Sequence, residues 1–263
     1  MKNLYFGAAI LFLGLSSCSS SDDNGSDSPT STFFPLTSTS SWEYDVKLDS
    51  EDIGRDVLFV SGETTISGKI YQQIKTSEIP SGFYTSTLNN NNLRKDGDKL
   101  LLTGSTGLST GDFLPFQINI TDFVIFKENA SSNDQLDIVS GVVDQELEGL
   151  PLKIDYKLKS VFKESLASFT VPGKASYSNV KVIKIIANLK VSTVYLVPVI
   201  NTPLTVALLD SQDVIVSTHY YAEGIGMVYS KTDVNFQLND FSQFGIELPI
   251  PQSGSSIIEE FLD

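Results

Sequence analysis

Histidine occurs once in this 263-residue chain, as His219, and cysteine once, as Cys18. One histidine excludes a two-histidine metal site made by the chain alone, and any serine triad would depend on His219. Its setting, Ser217-Thr218-His219-Tyr220-Tyr221, reads as a strand, on whose surface a polar side chain is the ordinary outcome. Carboxylates are plentiful, with 32 Asp and Glu against 18 Lys and Arg. Glycoside hydrolysis needs only two of them several ångströms apart, a condition so easily met at this abundance that it selects no pair. Asp96-Gly97-Asp98 is too short for a calcium-binding loop and fits a turn instead. Gly224-Ile225-Gly226 lacks the helix N-terminus that a phosphate cradle requires, and glycine there allows a bulge or a close backbone crossing. These residues lead to no expected catalytic residue, metal ligand or cofactor.

The remaining reactive group, the Cys18 thiol, closes a different pattern. Met1-Lys2-Asn3 gives a positive start, and Leu4 to Leu15 is an apolar run of signal-peptide length, well short of the ~20 residues that cross a bilayer. Leu15-Ser16-Ser17-Cys18 then resembles the bacterial lipobox, in which the cysteine takes a diacylglyceryl group and becomes the first residue of the mature protein. The resemblance implies a signal peptide over residues 1–17 and a membrane partner reached through the lipid on Cys18. Two or three acyl chains hold stably where one does not. From Ser19 to Thr32 the sequence SSSDDNGSDSPTST has no side chain able to build a core, so residues 18–32 read as the lipidated cysteine and a flexible tether. Asp22-Asp23 resembles the export tag of some Bacteroidota lipoproteins, though a Ser/Asp linker is also simply soluble. The expected address is the outer membrane, on its cell-surface or periplasmic face.

Cleavage before Cys18 removes Lys2 and takes the formal charge from −14 to −15. An acidic chain repels nucleic acid and anionic headgroups, so no nucleic-acid partner is expected. With Cys18 acylated no disulfide is available, and the fold must rest on its core; 41% apolar residues suffice for that.

Residues 33–263 read as one β-rich domain. Trp42, Tyr44, Val46 and Leu48 alternate with polar residues, as do Leu152, Ile154, Tyr156 and Leu158, and again Val234, Phe236 and Leu238. A period of two with one apolar face is the mark of antiparallel sheet. Ser67-Gly68, Asp96-Gly97, Glu148-Gly149 and Asn201-Thr202-Pro203 supply turns. Strands of 6 to 12 residues without a useful helical pattern predict an all-β fold, either an antiparallel sandwich or an open half-barrel. A single helical turn is expected at Ser255–Phe261. Trp42, on the inward parity, is expected to anchor the core.

Val191 to Leu209 is apolar on both parities and carries Pro198 and Pro203, which argue against a membrane-spanning helix. It reads either as a central hairpin covered on both faces or as a flap at a sheet edge, with Tyr195, Val197 and Val199 facing an apolar ligand or a partner. Finally, Phe34-Pro35-Leu36 with Trp42-Glu43-Tyr44, Gly68-Lys69-Ile70-Tyr71, Leu93-Arg94-Lys95-Asp96-Gly97, Val171-Pro172-Gly173 and the run Tyr220 to Val228 together resemble a pattern of lipid-anchored Bacteroidota proteins. That resemblance implies a β-rich domain and carries over no catalytic residue. The functional expectation is a non-enzymatic binding or structural module of the outer envelope, its partner an envelope protein or a hydrophobic small molecule. A carrier of a hydrophobic ligand or lipid is the alternative, and a carbohydrate-active enzyme the third class.

Overall fold

The computed structural model describes residues 32–107, 117–147, 149–197, 202–241 and 251–263, the side chains of residues 195–197 excepted. In chain order the elements are β1 (Ser41–Leu48), β2 (Glu51–Ile66), β3 (Lys69–Thr76), α1 (Phe83–Leu88), β4 (Asn92–Asp96), β5 (Lys99–Gly107), β6 (Gln117–Lys127), β7 (Gln135–Leu147), β8 (Leu150–Thr170), β9 (Ser176–Val197), β10 (Thr202–Ala222), β11 (Gly226–Gln237) and β12 (Ser253–Leu262). The twelve strands form one sheet in the order β6-β5-β4-β3-β2-β1-β12-β11-β10-β9-β8-β7, antiparallel throughout.

Consecutive strands pair, as local hairpins dictate, with two exceptions. The last strand, β12, lies between β1 and β11 and joins the two halves of the chain. The consecutive strands β6 and β7 form the two sheet edges, and the sheet curls until those edges meet in a seam. There the Asp137 carboxylate accepts the Val124 N–H at 2.9 Å, and the Ser160 hydroxyl donates to the Val124 carbonyl at 2.6 Å. Side chains thus satisfy the backbone groups that a ladder would have paired. Of the two all-β arrangements expected, the sheet takes the open, curved one, closed nearly to a barrel.

The alternating strands face as their sequences demand: Trp42, Tyr44, Val46, Leu152, Ile154, Leu158, Val234 and Phe236 are buried. Trp42 stacks on Phe34 with ring centroids 4.6 Å apart and donates to the Ile225 carbonyl at 2.7 Å, fixing residues 32–34 across one rim of the barrel. Gly226 makes this possible, since a Cβ there would lie 2.9 Å from Trp42 Nε1. The close backbone approach expected of the glycines is therefore present. Ser67 and Gly68, with φ of 51° and 78°, form the predicted β2–β3 turn.

Three expectations are corrected. Ser255–Phe261 lies within strand β12 rather than forming a helical turn, because pairing on both sides overrides the run Ile257-Ile258-Glu259-Glu260. Inward-facing Glu260 hides the period of two. Strands β8, β9 and β10 run 21, 22 and 21 residues, beyond the expected 12, since bulges such as that between Phe162 and Glu164 let them coil without breaking. Thr202 and Pro203 open β10 instead of forming the turn; Asn201 lies outside the described residues, as does Glu148.

The β8–β9 hairpin overreaches the rim and folds back on the outer face. Phe169 stacks on Tyr220 at 4.1 Å, and Val171 and Val180 bury with Val228 and Phe261 in a second apolar cluster. Lys174 at the hairpin end bonds Asp45 at 2.6 Å and Asp263 at 2.8 Å. Several pieces of the sequence pattern, Val171-Pro172-Gly173 and Tyr220 among them, build this clasp.

Candidate functional site

The barrel interior is where chemistry-bearing side chains converge. Helix α1, six residues long, sits inside the sheet with Phe83, Tyr84, Thr85 and Leu88 buried. The sequence Phe-Tyr-Thr-Ser-Thr-Leu is poor in strong helix formers, so tertiary contacts must hold it. Two carboxylates do so. Asp56 of β2 accepts the Ser81 and Gly82 N–H groups at 3.0 and 2.8 Å. Glu260 of β12 accepts the Tyr84 and Thr85 N–H groups at 2.7 and 2.9 Å and the Ser230 hydroxyl at 2.9 Å. These are the donors that a helix start leaves without an internal partner, and negative charge is favoured there. Gly82 is required at this point, because a Cβ would lie 2.1 Å from Glu260 Oε1.

Thr85 Oγ1 touches both carboxylates with a single proton to give. When that proton goes to Asp56, the contact with Glu260 is a hydrogen bond only if Glu260 brings its own. Burial pushes the Glu260 carboxyl up and supports the protonated form, although its N–H and hydroxyl donors pull the other way. The pair thus resembles an acid couple, yet both groups are nearly inaccessible and their oxygens are occupied by the helix.

His219 stands next to this cluster. It was expected on the sheet surface, but its side chain points inward and is buried. The reason is the polar row it joins: Ser217 Oγ lies 2.8 Å from His219 Nε2 and 2.6 Å from Thr232 Oγ1, while the Tyr84 ring meets the imidazole edge-on at 5.1 Å. Burial lowers the imidazole pKa to about 3, so it is neutral at ordinary pH. The Ser217–His219 contact has the separation of a nucleophile and base. It lacks a carboxylate on Nδ1, whose near neighbour is the Tyr221 hydroxyl at 3.5 Å. A slot beside His219, lined by Phe83, Leu88, Phe123, Ile125 and Leu158, encloses about 30 Å³, room for one or two waters.

Among the described residues no group of three or more His, Cys, Asp or Glu is arranged to hold a metal ion. One motif escapes the sequence reading: Gly107-Leu108-Ser109-Thr110-Gly111 has the Gly-x-Ser-x-Gly spacing. A nucleophile elbow turns from strand into helix, whereas the next described element is strand β6; Ser109 itself lies outside the described residues.

Of the residues singled out in sequence, Cys18 and Val199 lie outside the described residues, as do the side chains of Tyr195 and Val197. The backbone around them is informative. Pairing of β8 with β9 stops at Thr193 and pairing of β11 with β10 at Ile215, while β9 and β10 stay paired out to Val197 and Thr202. The hairpin end therefore stands clear of its neighbouring strands, with Val194 50% and Leu204 44% exposed, instead of being covered on both faces. Pro203 is tolerated because, among the described residues, its other side faces no partner strand.

No family model, curated protein or solved structure matches the chain.

Proposed function

We propose that the chain is a lipid-anchored protein of the outer envelope whose plugged barrel serves as a non-enzymatic binding or structural module. The observation that carries this reading is the occupied interior. The concave space that a ligand would fill holds α1, and the carboxylates that a hydrolase would use hold the helix start. A neutral, buried His219 beside a buried Ser217 supports the same reading. The surface left for a partner is the outer wall and the rims.

A carrier of a hydrophobic ligand has one feature in its favour, the apolar slot ending at His219. An acyl chain needs several hundred Å³, so α1 would have to move aside. Native mass spectrometry of the chain from Ser19 onward, purified from cells, separates the two. The unliganded mass is expected; a stoichiometric lipid would overturn the binding-module reading in favour of the carrier. The anchor is tested separately by the intact mass of the full-length protein expressed in a Gram-negative host. A diacylated mature chain beginning at Cys18 is expected, and Cys18→Ala should abolish it.

A further inference from the structure

Strand β7 ends the sheet, and among the described residues no strand pairs with its outer edge. The opposite sheet edge, β6, does not cover it. Asp137 of β7 and Ser160 of β8 stand opposite each other on the inward face, and both bond the main chain of Val124 on β6. Strand β6 therefore abuts the inner face of β7 and β8, and the edge of β7 overhangs it. Exposure agrees: β6 buries Ile118, Ile120, Phe123, Ile125 and Phe126, whereas none of the 13 residues of β7 is fully buried.

Open edges are ordinarily guarded by charge, proline or a bulge. Strand β7 has such guards at its two ends. A bulge separates Gln135 from Asp137, whose carboxylate also takes the Ile138 N–H at 2.8 Å, and Asp144 and Glu146 follow at the other end. The six residues between, Ile138-Val139-Ser140-Gly141-Val142-Val143, carry no charge, and four of them are β-branched. On the outer face Ile138 is 45% and Val142 52% exposed. On the inner face Tyr156 of β8 lies over Gly141, where a Cβ would stand 2.7 Å from the Tyr156 hydroxyl oxygen, so the glycine leaves no gap.

An open strand edge is complemented by another strand, and β7 is complementary to itself about Ser140. In an antiparallel pair centred there, Ile138 meets Val142 of the second copy, Val139 meets Gly141, Asp137 meets Val143 and Asp144 meets Leu136. Aliphatic side chains thus face each other on the outer surface, and no carboxylate of this stretch faces another. Lys159 and Asp155 of β8 lie behind Ile138 and Val142. Each outer row then runs Lys159, Ile138, Val142 and Asp155, the last two from the second copy, with opposite charges at its ends. Ser140 meets its own equivalent with Lys157 behind each, and Asp144 keeps Lys153 beside it. Glu146 would meet Asp134, which confines the ladder to the stretch between them.

We infer that β7 pairs antiparallel with β7 of a second copy about a twofold axis at Ser140, so that one sheet continues through two barrels. A contact along one strand edge is small, so the dimer is weak and concentration-dependent. The formal charge of −14 opposes the approach of two copies, and salt screens that repulsion. The inference goes beyond the proposed function and does not rest on the lipid anchor.

The test uses the chain from Ser19 onward, which keeps every described element and, lacking Cys18, has no thiol. Sedimentation velocity in high salt over a range of concentrations is expected to show monomer giving way to dimer. Val142→Lys sets a charge opposite Ile138 of the second copy but beside Asp155 of its own β8. It should raise the concentration of half-dimerisation at least about tenfold while keeping the wild-type circular dichroism spectrum. Single cysteines under mild oxidant test the register. Ser140→Cys places two thiols directly opposite each other, within disulfide reach, whereas Val142→Cys leaves them about 13 Å apart along the strands. Ser140→Cys should therefore cross-link at least about tenfold faster. Equal cross-linking by the two variants, or wild-type dimerisation by Val142→Lys, would overturn the inference. A monomer at every concentration would also overturn it and leave the edge to an extended strand of another protein.

Discussion

Glu260 ties the helix start to the sheet, because the Tyr84 and Thr85 N–H groups and the Ser230 hydroxyl of β11 all donate to it. Glu260→Ala would leave two helix N–H groups and the Ser230 hydroxyl buried without partners, a loss of roughly 3–5 kcal/mol measurable by urea denaturation. Glu260→Gln keeps an acceptor and should cost much less. The same residue gives the protein a pH dependence of known sign. Its carboxyl is held above the unfolded range, so its contribution is complete below the unfolded pKa and is lost as pH rises through the folded one. His219 works in the opposite sense. Its imidazole is held down to about 3, so its contribution is present above the unfolded value near 6.5 and declines as pH falls. Thermal melts across pH should therefore show an alkaline decline that Glu260→Gln flattens and an acid decline that His219→Gln flattens.

Among the elements, the β9–β10 hairpin end and the β8–β9 clasp differ in what they contribute. Val194 and Leu204 are exposed on a ribbon that, among the described residues, has no neighbouring strand, so replacing both with Asp should change stability by less than about 0.5 kcal/mol. Lys174 joins two carboxylates over an apolar cluster, and Lys174→Ala should lower stability by about 1 kcal/mol at low salt and by less at high salt, as a denaturation series would reveal. Most of the strands were legible because one face of each meets an apolar interior and the other water, which writes a period of two into β1, β8 and β11. Legibility ended where the interior turns polar. Glu260 and His219 face inward among hydroxyls, so their parity cannot be read from hydropathy. Helix α1 was invisible for a related reason: its sequence has strand propensity, and the carboxylates that cap it lie 25 or more residues away in sequence. The interior cluster was accordingly missed, although Asp56 and Glu260 were among the acidic residues noted.

On the scale of the whole molecule, the sheet has one seam and one keystone. The seam depends on Asp137 and Ser160, and the double variant Asp137→Ala/Ser160→Ala should speed hydrogen exchange at Val124 and its neighbours on β6 without unfolding the sheet. The keystone is β12, paired along both edges. Until its residues are available, β1 and β11 each present an open edge and α1 lacks the carboxylate that receives Tyr84 and Thr85. The sheet therefore cannot close across β1 and β11 until β12 has paired with both. The two halves of the sheet would then come together in a single late step. For as long as those edges stay open, the unfinished sheet is a template on which a second chain could pair.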